Sequence, residues 1–281
     1  MTQSQENLSR PSYSRFNPIT RLVSVLDSGM IPAPATQIVR GVLRRRVVSH
    51  RLFKIEVENK HGLEIGGPSS IFRDTGELPI YRHMAALDNC VFSAETIWEG
   101  RRAEGQTYAY HPRKSKGHNF IREATDLRDI PDHGYDFVLS SHSLEHIANP
   151  LKALREWIRV VKPKGAMIVI LPDSRRTFDW RRQPTPVEHM LMDYERGTDE
   201  RDLFHLPEIL EHHDLALDPA AGDKEHFHRR SLQNFENRCL HHHVFDERNS
   251  RELLEAAGLT VGVQERIRPH HLVLLAHCPS G

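Results

Sequence analysis

The chain has 281 residues, and its 38 lysines and arginines are balanced by 38 aspartates and glutamates. This length fits one large domain, or one domain with extensions, and is sufficient to bury a substantial core. A balanced charge excludes a strong global field toward nucleic acid, so no nucleic-acid partner is expected.

Cysteine usage and hydropathy predict a cytoplasmic protein. Cys90, Cys239 and Cys278 are far apart and show no paired spacing, which argues against a disulfide framework or a cysteine zinc site. No apolar run approaches the ~18 residues of a membrane span. The apolar run at residues 22–26 is too short for a signal peptide.

The first 60 residues are predicted to form a polar tail and a basic helical arm. Residues 1–14 are polar and are expected to be disordered. Residues 15–60 form the arm, with helical patterns from Ile19 to Met30 and from about Pro34 to Glu58. The second pattern carries the basic residues Arg40, Arg44, Arg45, Arg46, Arg51 and Lys54. We favour an ordinary solvated face, or packing on this domain or on a second subunit in a homodimer, over contact with an anionic membrane surface or phosphorylated partner.

A strand–helix–strand pattern begins at Tyr135. Tyr135–Ser141 is an apolar run that ends in two serines, which is typical of a buried strand opening into a site. Asn149 and Pro150 supply an N-cap and a first-position proline for a helix, and Ala166 to Leu171 is a second apolar strand. This order predicts a parallel sheet with a right-handed crossover.

Upstream, a glycine pair follows a short strand that contains Glu64. Gly66 and Gly67 at the strand end allow positive φ and close approach of a ligand, although glycine pairs also end strands for steric reasons. Asp88 is predicted at the end of the next strand, where a carboxylate accepts from both hydroxyls of a ribose. The alternative for Asp88 is a turn aspartate preceding Asn89.

These stretches together resemble the class I S-adenosylmethionine-dependent methyltransferases, in particular the bacterial group with a Leu-Glu-His signature, here Leu144–His146. The resemblance covers about residues 60–173 and, more weakly, 241–277. It implies a Rossmann-like α/β fold: a seven-stranded, mostly parallel sheet whose last strand is antiparallel. It also implies S-adenosyl-L-methionine as the cofactor. The loop departs from the family's three spaced glycines because Pro68 follows the pair.

The resemblance also assigns cofactor contacts. Asp126 would cap the adenine amino group and Leu127 would pack on the adenine ring, although a turn or N-cap role for Asp126 fits the spacing equally well. The predicted cofactor-binding residues are Glu64, Gly66, Gly67, Pro68, Asp88, Asn89, Asp126, Leu127 and Ser141.

An insertion is predicted to divide the methyltransferase core. Residues 61–173 form the cofactor-binding half, residues 174–245 a helical cap insertion, and residues 246–281 the C-terminal part with the last two strands. An insertion at this point lies beside the carboxyl ends of the strands, where a cap would close on the substrate and exclude water. Thr185 and Glu188 have the spacing of a capping box for its first helix.

Histidines supply the candidate acid–base groups. His142, just past the fourth strand, is the first candidate for a general base acting on a hydroxyl acceptor, and His146 is the second. Glu145 and His146 also fit purely structural roles. No metal is expected, because a His-Glu-x-x-His spacing is absent and adjacent histidines point in different directions. The insertion contains nine histidines: His189, His205, His212, His213, His226, His228, His241, His242 and His243.

The predicted function is methyl transfer from S-adenosylmethionine to a small or saccharide-like polar acceptor, in the form of O-methylation. The alternative is a catalytically inactive binding or regulatory protein on the same fold. A nicotinamide-dependent oxidoreductase is disfavoured because Gly66-Gly67-Pro68 lacks the spaced glycines that cradle a pyrophosphate.

Overall fold

The computed structural model describes residues 47–96 and 100–281. The predicted tail, the helix from Ile19 to Met30 and the first part of the helix from Pro34 lie outside the described residues. The described end of the basic arm is the helix α1 (His50–Val57), which packs through Phe53 and Val57. Residues 47–281 form one compact unit, so the insertion and the core belong to the same body.

Of the ten strands in the described part of the chain, eight form one sheet in the order β5-β6-β2-β1-β7-β8-β10-β9. The strands from β6 to β8 in that order pair in parallel, and β10 is antiparallel to both β8 and β9. The strands are β1 (His61–Ile65), β2 (Ala86–Val91), β3 (Glu95–Thr96), β4 (Gly100–Arg101), β5 (Gly105–Tyr108), β6 (Gly117–Ile121), β7 (Tyr135–Ser141), β8 (Val161–Pro172), β9 (Thr260–Ile267) and β10 (His271–His277).

The predicted mostly parallel sheet with an antiparallel last strand is confirmed, but the predicted count of seven is wrong by one strand. The extra strand is β5, which pairs antiparallel with β6 at the sheet edge. Its segment had the composition of a loop. Burial of Tyr108 at the end of β5 holds that strand against the sheet, and β3 and β4 form a separate two-stranded hairpin.

The two faces of the sheet are covered differently. One face packs against the helices α2, α3 and α7 through a core that includes Trp157, Met190 and Leu253. The other packs against α1 and short 3₁₀ turns through residues such as Phe72 and Tyr81. The helices are α1 (His50–Val57), α2 (Pro150–Val160), α3 (Val187–Arg196), α4 (Leu206–His212), α5 (Lys224–Leu232), α6 (Asn234–Asn237) and α7 (Glu247–Ala256).

Helix starts follow the sequence signals with one exception. Asn149 caps α2 by accepting from the Lys152 amide, and Asp246 caps α7 in a reciprocal capping box with Asn249. Thr185 does not cap α3: its hydroxyl accepts instead from the amide of Val244, 2.9 Å away. Thr185 therefore ties the start of the insertion to the segment that returns to the core.

The connection between β1 and β2 contains only two 3₁₀ turns, Ser70–Phe72 and Tyr81–His83. Gly76 and Pro79 in this connection disfavour the helix usual at this point. The buried rings of Phe72 and Tyr81 cover the sheet instead. With these 3₁₀ turns in place of a helix, Tyr81 lies against the loop that follows β1.

Candidate active site

The carboxyl ends of β1 and β7 meet at Gly66. Gly66 has φ +74° and is exposed, and a Cβ at this position would lie 2.5 Å from Ser143 Oγ. The Ser143 hydroxyl donates to the carbonyl of Ile65 across 3.1 Å. Glycine suits this positive φ and close contact, which leave bare backbone accessible beside Ser143.

Glu64 holds the loop that follows β1 in place through hydrogen bonds. Its carboxylate is fully buried and accepts from Ser69 N (3.1 Å), Ser69 Oγ (2.6 Å), Tyr81 Oη (2.7 and 2.8 Å) and Tyr108 Oη (2.5 Å). Burial raises the pKa of Glu64, while the hydrogen bonds from Ser69, Tyr108 and Tyr81 act in the opposite direction. With its oxygens used internally, Glu64 shapes the loop that would face a cofactor.

Asn89 holds the second glycine. Its Oδ1 accepts from the amide of Gly67 at 2.9 Å, and its Nδ2 donates to Asn119 Oδ1 at 2.8 Å. A Cβ on Gly67 would lie 2.3 Å from both the Glu64 carboxyl carbon and Tyr108 Oη. The prediction grouped Asn89 with direct cofactor contacts; its buried side chain supports the loop backbone.

Asp88 lies elsewhere than expected. It pairs with Leu63 in the body of β2, which continues to Val91. Its carboxylate accepts from the His118 amide (2.7 Å) and Tyr135 Oη (2.9 Å) and contacts His61 Nε2 (3.0 Å). Burial opposes ionisation, but the hydrogen bonds from His61, His118 and Tyr135 outweigh it and lower the pKa of Asp88. The predicted position at the strand end is therefore wrong, because Asp88 joins strands further back in the sheet.

Asp126 and Leu127 follow β6 as expected, but their groups have internal partners. The Asp126 carboxylate binds Arg128, with Nε 2.8 Å from Oδ1, and this hydrogen bond lowers the pKa of Asp126. The buried Leu127 donates its amide to Glu156 Oε2 at 2.7 Å. An adenine contact from Asp126 would compete with Arg128, whereas Leu127 already belongs to the core.

His142 occupies the carboxyl edge of the sheet directly after β7. It has the left-handed φ of +52°, and its amide donates to the carbonyl of Ile170. Its Nε2 lies 2.8 Å from His271 Nδ1, and its Nδ1 lies 3.4 Å from Glu145 Oε1. Burial opposes ionisation of Glu145, but contacts with His142, His146 and His241 outweigh it and lower its pKa to about 2. We call Glu145, His142 and His271 the edge row.

The sequence analysis missed His271 and its neighbour His270. Burial lowers the pKa of His270 to about 4 and that of His271 to about 2, and the charge of the nearby His142 also acts to lower both pKa values. The signal was available: the first residues of an antiparallel final strand lie where the parallel strands end, and His271 pairs with Pro172 at the end of β8.

His146 connects the edge to the insertion. Its Nδ1 lies 3.1 Å from the carbonyl of Leu240, and its ring centroid lies 4.6 Å from that of His241. Burial lowers the pKa of His146 to about 4. His241 binds Asp179 at 2.5 Å, which raises the pKa of His241 against the effect of burial. These contacts favour the structural reading of His146.

Arg238, which lies in the insertion, contacts residues that follow two further strands of the sheet. Its guanidinium binds Glu123 Oε1 at 2.7 Å and Glu200 Oε2 at 3.0 Å, and lies 5.2 Å from the Phe92 ring centroid. Phe92 follows β2 and Glu123 follows β6. Through Arg238 the insertion contacts residues at the edge where the cap is predicted.

Three groups of possible metal ligands occur among residues 47–96 and 100–281. Each group brings its ligand atoms within 4.8 Å of one another. His241 and His243, the first and last of the three successive histidines, fall into different groups. The groups are His142, His270 and His271; His189, His205 and His243; and Glu145, His146 and His241.

The edge suits S-adenosylmethionine in part. The exposed backbone at Gly66 and the hydroxyls of Ser141 and Ser143 offer close approach and polar contacts. Asp88 lies inside β2 and not at the strand end expected for a ribose carboxylate, and the first carboxylate after the end of β2 is that of the exposed Glu95. In open α/β sheets ligands bind outside the carboxyl ends of the strands, and the glycine loop lies at that edge of this Rossmann-like sheet.

The chain matches the family described as "Methyltransferase domain" over residues 38–263, and it belongs to that family. It is therefore an enzyme of the class I S-adenosylmethionine-dependent methyltransferases, with S-adenosylmethionine as its cofactor. The alternative of an inactive binding protein gains no support from this match. No curated protein matches the sequence.

Solved structures with a similar fold include several methyltransferases. An S-adenosylmethionine-dependent methyltransferase from Methanosarcina mazei is 13% identical, covers 84% of this chain and 100% of its own, and has a TM-score of 0.47. One from Mesorhizobium loti is 13% identical, with coverages of 82% and 95% and a TM-score of 0.47. The 1,6-didemethyltoxoflavin-N1-methyltransferase of Burkholderia thailandensis, solved with S-adenosylhomocysteine, is 12% identical, with coverages of 99% and 93% and a TM-score of 0.43.

Within residues 47–96 and 100–281, none of the helices combines the length and apolar character that crossing a membrane requires.

Proposed function

We propose that the protein transfers a methyl group from S-adenosylmethionine to a hydroxyl of a small or saccharide-like polar acceptor, with His142 as the catalytic base. The observation that carries this proposal is the edge row, which lies at the same carboxyl edge of the sheet as the exposed Gly66 at the end of β1. A hydroxyl acceptor needs a base that takes its proton as the methyl group arrives, and histidine suits neutral pH.

The residues of the edge row can accept this proton and transfer it between them. Glu145 faces Nδ1 of His142, which favours the tautomer with a proton on Nδ1 and leaves Nε2 as an acceptor. Nε2 of His142 then takes the acceptor proton directly, or takes the Nδ1 proton of His271 while His271 Nε2 receives the acceptor proton. In both cases His142 becomes an imidazolium beside the buried carboxylate of Glu145.

S-adenosylmethionine, when bound, supplies an already activated methyl group. The chain's own work is then alignment and exclusion of water. The loop fixed by Glu64 and Asn89 positions the donor side, and the insertion covers the edge through Arg238 and His146.

A polar acceptor fits the charges near the histidines. Asp173, buried after the end of β8, binds Arg175 Nε and Arg266 Nε at 3.0 Å each, and its amide donates to the carbonyl of His270. Both arginines are exposed, so they bring hydrogen-bond donors to the neighbourhood of Asp173, which contacts the His270 backbone. Hydroxylated molecules of the saccharide class match such donors, and an apolar acceptor does not.

Replacing Gly66 tests the donor site. Gly66→Ala adds a Cβ 2.5 Å from Ser143 Oγ, so the loop must shift, and we expect the affinity for S-adenosylhomocysteine to fall at least about tenfold. Isothermal titration calorimetry with S-adenosylhomocysteine measures this. Gly197→Ala is the matched control, because Gly197 has a similar φ of +66° with no heavy atom within 4 Å of its Cβ.

The same titration separates Asp88 from the donor site. Asp88→Asn is expected to lower stability by about 1–3 kcal/mol, since it disturbs three buried or half-buried partners. The affinity for S-adenosylhomocysteine should stay within about twofold of wild type. Loss of binding in Asp88→Asn together with full binding in Gly66→Ala would place the cofactor away from Gly66 and contradict the proposal.

Replacing His142 tests the base. His142→Gln keeps a polar atom near the Nε2 position but cannot accept the proton, so we expect kcat to fall about 10²–10³-fold with unchanged S-adenosylhomocysteine affinity. The acceptor comes first from a mass-spectrometric screen of saccharides and small hydroxylated molecules for the gain of one methyl group. His228→Gln, an exposed histidine of α5, is the control. Full activity of His142→Gln on that acceptor would eliminate His142 as the base.

A further inference from the structure

A second histidine cluster lies in the insertion, apart from the edge row. His189 and Asp193 stand one turn apart on α3, His205 is the N-cap of α4, and His243 precedes the return to the core. The ligand atoms of the three histidines lie within 4.8 Å of one another. We call His189, Asp193, His205 and His243 the insertion cluster.

The polar atoms of this cluster are close enough to bind one ion. His189 Nε2 lies 3.0 Å from His205 Nε2 and 3.4 Å from Asp193 Oδ2. Four ligands at about 2.0–2.1 Å from a tetrahedral zinc ion are separated from one another by about 3.3–3.4 Å. These two separations lie near that value, and His243 offers a ligand nitrogen within 4.8 Å of those of His189 and His205.

Two atoms of the cluster are buried without a hydrogen-bond donor or acceptor. They are Asp193 Oδ2 and His243 Nδ1. The Nε2 of His243 lies 3.2 Å from the carbonyl of Ala148, so Nε2 carries the proton and Nδ1 holds a buried lone pair. An unpaired carboxylate oxygen and an unpaired imidazole lone pair are costly in a protein interior, and a cation removes both costs.

The remaining polar atoms have the partners that orient metal ligands. His205 Nδ1 lies 3.4 Å from Glu208 Oε2, and Asp193 Oδ1 accepts from Thr198 Oγ1 at 3.1 Å. Metal-binding histidines usually donate their second nitrogen to a carboxylate or carbonyl, and metal-binding carboxylates are themselves hydrogen-bonded. Glu208, Thr198 and Ala148 supply these contacts here.

We propose that the insertion cluster binds one zinc ion as a closed, four-coordinate structural site. Three imidazoles and one carboxylate in tetrahedral spacing favour Zn²⁺ over the oxygen-preferring Mg²⁺ and Ca²⁺. The ion would join α3, α4 and the returning segment to Ala148, which follows the Leu-Glu-His signature. This role is separate from the methyl transfer proposed above and depends on neither its donor nor its acceptor.

The edge row shares no residue with the insertion cluster. Its His142 Nε2 and His271 Nδ1 lie 2.8 Å apart, a hydrogen-bond distance. A substitution at His271 therefore leaves the ligands of the insertion cluster in place and serves as a control for them.

Metal analysis of the untagged full chain tests the proposal. Protein produced with zinc chloride in the medium and dialysed extensively should retain about one zinc ion per chain by elemental mass spectrometry. His205→Gln and Asp193→Asn should each retain less than about a tenth of that amount, whereas His271→Asn and His228→Gln should retain it in full. Removal of zinc by a chelator should lower the melting temperature of wild type by about 5 °C or more and leave His205→Gln unchanged.

A measurement on wild type alone covers the case in which a variant fails to fold. Cobalt(II) added to the chelator-treated chain should produce the intense visible absorption of tetrahedral cobalt, and added zinc should abolish it. Zinc-free wild type that shows no tetrahedral cobalt spectrum would overturn the proposal. So would folded His205→Gln and Asp193→Asn variants that retain the full amount of zinc.

Discussion

Glu64→Gln is expected to lower the free energy of unfolding by about 2–4 kcal/mol and to remove measurable S-adenosylhomocysteine binding. The carboxylate accepts from four donor groups and its side chain is fully buried. Glutamine keeps the size but turns one acceptor oxygen into a donor amide. That amide would face the hydroxyl of Tyr81 or Tyr108, which also donates, and at least one buried donor would lose its partner.

The effect reaches the cofactor because the same bonds shape the glycine loop. Ser69 is held by Glu64 through both its amide and its hydroxyl, and the Gly67 backbone passes so close to Glu64 that a Cβ would overlap with its carboxyl carbon. A rotated side chain at position 64 therefore moves the loop. Misplacement of backbone by even about 1 Å removes much of the affinity that alignment provides.

Urea unfolding and calorimetry measure the two consequences of Glu64→Gln. The melting temperature should fall by about 6–12 °C. Tyr81→Phe and Tyr108→Phe, which each remove one donor, should show smaller losses of about 1 kcal/mol. Glu58→Gln is the matched control, since exposed Glu58 makes only a surface ion pair with Lys54 worth at most about 0.5 kcal/mol. Wild-type stability in Glu64→Gln would show that the tyrosine hydroxyls do not depend on the carboxylate.

The sheet could be predicted because its signals are local. The apolar runs and the Asn149 cap each depend on a few neighbouring residues, and the structure retains them. The edge strand β5 could not be predicted, since Gly105–Tyr108 is polar apart from Tyr108. Tyr108 is placed by its contact with Glu64, which is distant in sequence and becomes visible only after folding.

The site residues that lie at strand ends marked by local sequence patterns could be predicted. The residues that come together from distant segments of the chain were missed. Gly66 and His142 lie at strand ends that sequence patterns mark. Asp88 was misplaced because an acidic residue near a predicted strand end cannot be assigned to its register to within three residues by pattern alone; the pairing with Leu63 decides it. His271 was missed although an antiparallel last strand was expected, because the residue at which β10 begins, and its pairing with Pro172 at the end of β8, become known only from the fold.

The histidines illustrate the same limit for the insertion. Helical periodicity places His189 and Asp193 on one face of α3, which is a pattern that could have indicated a metal ligand pair. The other members of the insertion cluster come from the N-cap of α4 and from the returning segment, and no spacing rule connects these elements. Counting histidines therefore pointed to the insertion without identifying which of them meet.

The stability of the protein is expected to fall steeply as the pH drops from 6.5 toward 4, because His270 and His271 are kept neutral in the folded state. Burial and the neighbouring His142 lower the pKa of His270 to about 4 and that of His271 to about 2. In the unfolded chain both take up a proton near pH 6.5. Between these values the unfolded state binds more protons, so the free energy of unfolding decreases as the pH falls.

The size of this effect follows from the same linkage. At pH 5, each histidine that stays neutral in the fold but ionises on unfolding costs about 2 kcal/mol relative to pH 7.5. Because both rings are half-buried, we expect about 2–4 kcal/mol for the pair rather than the full sum. His241 acts in the opposite sense, since its pairing with Asp179 raises its pKa and preserves stability below pH 6.5. The charged groups facing the pair, Glu145 and Asp173, favour protonation of His270 but do not overcome burial.

His271→Asn isolates the contribution of one ring. Asparagine keeps a polar atom near Nδ1, so the contact with His142 is retained while the titrating group is lost. Urea unfolding at pH 7.5 and pH 5.0 should show wild type losing about 1–2 kcal/mol more than His271→Asn over that interval. His228→Gln, which removes an exposed histidine, should lose as much as wild type. An identical pH dependence of wild type and His271→Asn would mean that His271 is protonated in the folded protein, and the proton path through the edge row would then need His142 alone.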